Sequence, residues 1–352
     1  FIEALDRSFT EDERDALITA LWSKSAMPAF EQMLHDMIEW QLPAEGIAPP
    51  ADPTRFASAA PLVDDATSGF QLFQQTKEDL LSLAQVTVGV QSFVGHSGRL
   101  LALNMSRYLL AQANVGVELP IYAAPAADTH EGVKTLAHEI IEVHHARFAQ
   151  ALEQQFRQAV ETAQADLGWR HDPDDEHDAR KIIKKIFHSR ANVIPPDKYI
   201  EYRAKFGSIT NMAYYYYWIQ GYSRGRFLRQ LHASHLNLAK KAGYANSRSR
   251  YSHWHFYWLS PSLVETLLLV TQARTDKSRL LVSRLLQLWQ ERYGLTVTIN
   301  ETWQEVYNAN FRSLGNPESL NEANERRFNE ILAERGRLYK NSDDFPWVIL
   351  RD

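Results

Sequence analysis

Residues 131–167 read as one long helix, and no other stretch constrains the fold as strongly. Ile140, Ile141, Phe148 and Ala151 recur at helical spacing and make an apolar stripe. A helix of that length needs other elements to cover its stripe, and most of the remaining periodicity is helical too. The expected class is mainly α with a small α/β element.

The polar edge of this helix holds "HEIIEVHH". At 100° per residue, His138, Glu142 and His145 fall within about 60° of one another. Adjacent members of this row are candidate metal ligands, but His138 and His145 stand about 10 Å apart along the axis, too far to share one ion easily. Glu142 occupies the place of the second histidine of an H-E-x-x-H zinc motif. A di-iron bundle would need a second Glu-x-x-His pair, which the chain lacks. The plain reading is a helix edge with Glu–His hydrogen bonds and His144 in the core, so no metal and no other cofactor is expected.

With 352 residues the chain can bury several cores. It has no cysteine, which excludes disulfides and thiolate metal sites. No run approaches the roughly 18 apolar residues of a membrane helix. Glu3 and Asp6 near the start do not fit a signal peptide, so a cytoplasmic protein without membrane contact is expected. Net charge is −5 and unevenly spread. Residues 177–255 hold 15 Lys/Arg against 3 Asp/Glu, which leaves the rest at −17.

Residues 1–42 read as an N-terminal helical segment, opened by a capping box at 10–13 in which Thr10 and Glu13 exchange bonds with each other's backbone. A Pro/Ala-rich linker or loop follows over 43–75. Residues 76–130 read as a βαβ-like unit. Val86, Val88 and Val90 alternate as a strand does, residues 99–113 are helical, and "VELPIY" is a second strand. The turn "GHSGR" between them could receive phosphate at a helix start. This strand, helix and strand resemble half of a phospholipase-D-like fold, although the His-x-Lys motif of that family is absent from the chain.

Residues 131–255 form a helical basic and aromatic region. Its cations alternate with many tyrosines, including Tyr214 to Tyr217, followed by Trp218. Cations neutralise phosphates while rings stack on exposed bases. The candidate nucleic-acid contacts are Lys181, Lys184, Lys185, Arg190, Arg224, Arg226, Arg229, Lys240, Lys241, Arg248 and Arg250. The same segment contains Arg-x4–6-His pairs of the kind a helical ribonuclease uses: Arg226 with His232, Arg229 with His235, Arg248 with His253 and Arg250 with His255. Arg229 and His235 are preferred because they fall in a helix.

Residues 256–352 are the most legible. Ser260 caps a helix with Pro261 at its first position, "KSRLLVSRLLQLWQERYG" ends at Gly294, and "LTVTI" is a short strand. "SLNE" at 319–322 opens another helix, and "RLYKNSDDFPWVIL" makes two strands about a turn. This order resembles a winged helix. The run from "LSPSLVETLLL" through "LLQLWQERYGLTV" to "DDFPWVI" also resembles C-terminal modules of bacterial anti-phage defence-island proteins. The basic region points to a nucleic-acid-binding or scaffolding subunit that holds the phosphate backbone without strong sequence preference, with DNA or RNA and other protein subunits as partners, and the resemblance implies a bacterial anti-phage defence complex as its setting. A helical ribonuclease or metal-dependent phosphodiesterase, and a protein-interaction module without nucleic acid, are the alternatives.

Overall fold

The computed structural model describes residues 9–13, 68–86, 89–113, 120–126, 128–166, 226–247, 254–299, 317–340 and 345–351. Its elements in chain order are α1 (Ser68–Val86), α2 (Val90–Ala113), β1 (Ile121–Tyr122), α3 (Glu131–Asp166) and α4 (Arg226–Ala242). Next come β2 (Ala245–Ser247), β3 (His255–Tyr257), α5 (Pro261–Arg274), β4 (Arg279–Leu281) and α6 (Val282–Tyr293). The last are β5 (Leu295–Thr296), α7 (Pro317–Glu334), β6 (Leu338–Lys340) and β7 (Pro346–Ile349). The class is mainly α with a small α/β element.

The chain divides into two compact units, one of Phe1–Ala111, Glu118–Ile141 and Asn237–Asp352, the other of Gln112–Val117 and Glu142–Leu236. Three of the divisions fall inside helices, after Ala111 of α2, Ile141 of α3 and Leu236 of α4.

In the first unit α5 is buried nearly all round, through Leu263, Val264, Leu267, Leu268 and Val270, as a central helix must be. It packs on α1. The Trp289 indole of α6 donates to the Thr271 hydroxyl at 3.1 Å and meets Phe328 of α7 edge-on. Ser260 caps α5 by accepting from the Leu263 N–H at 3.1 Å, and Gly294 closes α6 in the left-handed region at φ 64°. Thr10 and Glu13 form the reciprocal box, Thr10 N–H to Glu13 Oε2 at 2.8 Å and Glu13 N–H to Thr10 Oγ1 at 3.2 Å.

The α/β element differs from the expected one. Val86 ends α1 and Val90 begins α2, with Gly89 at φ 89° just before it, so these two valines belong to helices, and Val88 lies outside the described residues. Gly95 and Gly98 lie within α2, where the Arg99 guanidinium caps the Gly95 carbonyl at 3.0 Å, so "GHSGR" is no phosphate turn at a helix start. α1 also occupies the last eight positions of the 43–75 linker. β1 does form within "VELPIY", but its parallel partner is β5, with Ile121 opposite Leu295. The adjoining Ala124 bridges Trp258 on the other side. α7 begins at Pro317, which puts Ser319 inside its first turn rather than at the cap.

The C-terminal sheet runs β4-β7-β6, antiparallel throughout. The order of its module is helix, strand, helix, then a third helix and a hairpin, with the strand between the first two helices paired to the last strand of the chain.

Candidate functional site

The strongest polar constellation of the first unit joins α1, α5 and α6. Helical spacing puts Gln75, Glu78 and Asp79 of α1 toward the other two helices. Asp79 is fully buried, and the Arg292 guanidinium from the last turn of α6 grips its Oδ1 through Nε at 2.8 Å and Nη2 at 2.5 Å. The same Nη2 reaches Glu78 at 3.1 Å and the Gln75 carbonyl at 3.2 Å. The Tyr293 hydroxyl donates to Asp79 Oδ2 at 3.0 Å. Arg274, at the end of α5, pairs with Glu78 at 3.0 Å and lies 3.9 Å from Asp79. Burial pushes the Asp79 carboxyl upward, while the Arg292 charge and the Tyr293 hydroxyl pull it back. With three donors on its two oxygens, the carboxylate is the form that suits this geometry. Tyr293 is held well above its ordinary value by burial and by the Asp79 charge, so it stays a donor.

Gln75, Glu78, Arg274, Arg292 and Tyr293, but not the buried Asp79, line a cleft of about 750 Å³ that Gln71, Gln74, Lys277 and Arg284 also border. Most of its charge is spent internally, since Arg284 lies 3.7 Å from Glu291 and the two other arginines hold Glu78 and Asp79. The network braces three helices, and the remaining cation on the rim is Lys277, which is exposed.

The second unit carries a histidine cluster. The rings of His145 on α3 and His232 on α4 stack at 4.0 Å and 7°, and His235 stands edge-on to His145 at 5.6 Å and to Phe148 at 5.6 Å. His232 Nε2 faces the His145 carbonyl at 3.2 Å, so this nitrogen carries the proton. Burial, helped by the charges of His144 and His232, lowers His235 to about 3. Burial also lowers His232, against the His145 carbonyl and Glu142. At neutral pH His232 and His235 are uncharged, packed with His145 and Phe148 as aromatic core.

The candidate ligand row is dispersed. His138 donates from Nδ1 to the His255 carbonyl at 2.7 Å and packs on Trp254, Glu142 is exposed, and His145 is buried against His232. Among the described residues no group of three or more His, Asp or Glu is placed to hold a metal ion.

Of the candidate nucleic-acid contacts, Lys181, Lys184, Lys185, Arg190, Arg224, Arg248 and Arg250 lie outside the described residues, as does His253. Arg226 begins α4. Arg229, Lys240 and Lys241 are exposed on that helix. The two lysines occupy its last turn, where cations suit the dipole. Lys240 also donates to His255 Nε2 at 2.8 Å. Arg229 and His235 do not converge, because Arg229 faces solvent and His235 is 0 % exposed.

Sequence reasoning missed the Asp79–Arg292–Tyr293 network. Its members are 213 positions apart, and only the adjacent Arg292 and Tyr293 of "ERYG" had been noticed, as part of a resemblance. No family model matches the chain, and neither a curated protein nor a solved structure is found to be similar to it. No helix among the described residues is long and apolar enough to cross a membrane.

Proposed function

We propose that the chain is a nucleic-acid-binding and scaffolding subunit whose residues 261–351 form a winged-helix module. The observation that carries this reading is the topology of that module. Three helices accompany a three-stranded sheet of order β4-β7-β6, and the strand between the first two helices pairs with the last strand.

In winged helices that read duplex DNA, the third helix enters the major groove. Here α7 exposes Glu322, Glu325, Glu330 and Glu334. Arg327 is tied to Asp128, Glu330 and Glu334, and Arg335 to Glu265. An acidic helix repels a phosphate backbone, so α7 serves protein contact. Backbone binding then falls to the basic stretch 177–255, whose +12 charge suits an anionic partner without sequence preference. The resemblance around "QERYG" supports a bacterial anti-phage defence complex as the setting.

The test is binding of labelled DNA and RNA to the full chain over a range of salt, with strand cleavage followed with and without divalent metal. The expected result is affinity that falls steeply with salt and leaves substrate intact. Cleavage abolished by His235→Ala would replace this reading with a helical ribonuclease. Absence of binding at low salt would leave a protein-interaction module.

A further inference from the structure

The outward face of the C-terminal sheet departs from the usual rule for a half-exposed antiparallel sheet. Such a sheet alternates apolar side chains on the core side with polar ones toward water. In β7 the core side is as expected, with Val348 and Leu350 buried at 0 % and 2 %. The alternate positions are Phe345, Trp347 and Ile349, and these are large and apolar as well. Register extends this second face across the sheet, because Trp347 sits opposite Leu281 of β4 and Tyr339 of β6 while Ile349 sits opposite Arg279. Trp347, Ile349 and Leu281 are half-buried, whereas Tyr339 is 41 % exposed and Phe345 63 %.

Two of the three exposed large hydrophobic side chains among the described residues therefore belong to one sheet face. A cluster of this kind marks a contact surface.

The cations around it say what kind. Arg279 is exposed and reaches across β7, so that its guanidinium lies 4.7 Å over the Tyr339 ring. The plane of a guanidinium on a ring is a surface on which a further flat group stacks. Lys277 just before β4 is exposed, and Arg337 is half-buried, with Glu265 4.0 Å away. Exposed rings set among cations match unpaired bases on a phosphate backbone. A duplex hides the faces of its bases, which leaves the exposed rings without a stacking partner. An acidic peptide would satisfy the cations and leave Phe345 and Tyr339 without a flat partner.

We propose that the Tyr339–Phe345 face of the β4-β7-β6 sheet binds single-stranded nucleic acid, by base stacking on its rings and phosphate contact with Arg279. This rests on the nucleic-acid reading above, but assigns the contact to residues other than those of the basic stretch 177–255. The connecting residues 341–344, with Asp343 and Asp344, lie outside the described residues.

The experiment is fluorescence anisotropy of the full chain with labelled oligo(dT) of about 15 nucleotides, within the span of common single-strand sites. A duplex of the same length, heparin and a poly-glutamate peptide are run alongside. Tyr339→Ala with Phe345→Ala is expected to weaken oligo(dT) binding by about tenfold or more. The same double variant should leave heparin binding and the thermal melting midpoint unchanged. Arg279→Lys, which keeps the charge and loses the flat stack, is expected to weaken oligo(dT) several-fold.

The proposal is overturned if the double variant binds oligo(dT) as the parent does while Lys181→Glu/Lys184→Glu/Lys185→Glu abolishes binding. In that outcome the general nucleic-acid reading survives. Poly-glutamate that binds as tightly as oligo(dT), with the same loss in the double variant, overturns it in favour of an acidic protein partner. Failure to bind any nucleic acid overturns both readings.

Discussion

Asp79 is the residue on which the first unit depends most. Its carboxylate is fully buried and joins α1 to α6 through Arg292 and Tyr293. Removing one partner of such a pair leaves an uncompensated charge, so Asp79→Ala is expected to cost about 3–5 kcal/mol in urea unfolding. Asp79→Leu combined with Arg292→Met should recover much of that loss, since no charge is then stranded; equal losses in the single and double variants would contradict the pairing.

His235 makes the opposite kind of statement. Burial lowers its folded pKa to about 3, below the unfolded value near 6.5, so its contribution is full above pH 6.5 and drains away as pH falls toward 3. At a pH of about 4 this amounts to about 3 kcal/mol. His235→Leu is expected to flatten the acid limb of stability against pH; an unchanged limb would show that the imidazole is not buried neutral. Neither role is legible in the sequence. The helical wheel places His144 on the apolar stripe of α3 and His145 at its edge, yet both are buried, because α4 brings a second wall of histidine that the wheel of one helix does not contain.

Elements were legible where a local signal decides them. Ser260 with Pro261 marks the start of α5, Gly294 the end of α6, and the apolar strands either side of 341–344 form the hairpin β6–β7. The valines at 86–90 misled for a physical reason. Five residues of alternation around a glycine are equally compatible with one helix ending at Val86 and another beginning after a left-handed Gly89, and burial of α1 and α2 decides for the helices. β1 is two residues long and exists through β5, so its pairing could not be found by looking nearby. One glycine that the sequence does not single out is structural. Gly243 holds φ 88°, and a Cβ there would stand 2.1 Å from the Ser260 hydroxyl that caps α5. Gly243→Ala adds left-handed strain and displaces the cap, so a loss of about 2 kcal/mol is expected in thermal or urea unfolding. A loss below about 0.5 kcal/mol, the scale of an ordinary surface substitution, would contradict the close approach.

At the scale of the molecule, the helical class follows directly from periodicity. The division into units does not, because it runs through the helices α2, α3 and α4 rather than between elements. What composition does mark is charge: +12 in residues 177–255 against −17 elsewhere. The account turns on what that basic stretch meets. Its most direct test is the slope of log binding constant against log salt for single-stranded DNA and the full chain. With about six phosphates neutralised, a slope of about −4 is predicted. Lys181→Glu/Lys184→Glu/Lys185→Glu should make it shallower by about 2. A slope near zero, or one that the triple variant leaves unchanged, would contradict the claim that this chain holds nucleic acid through its basic region.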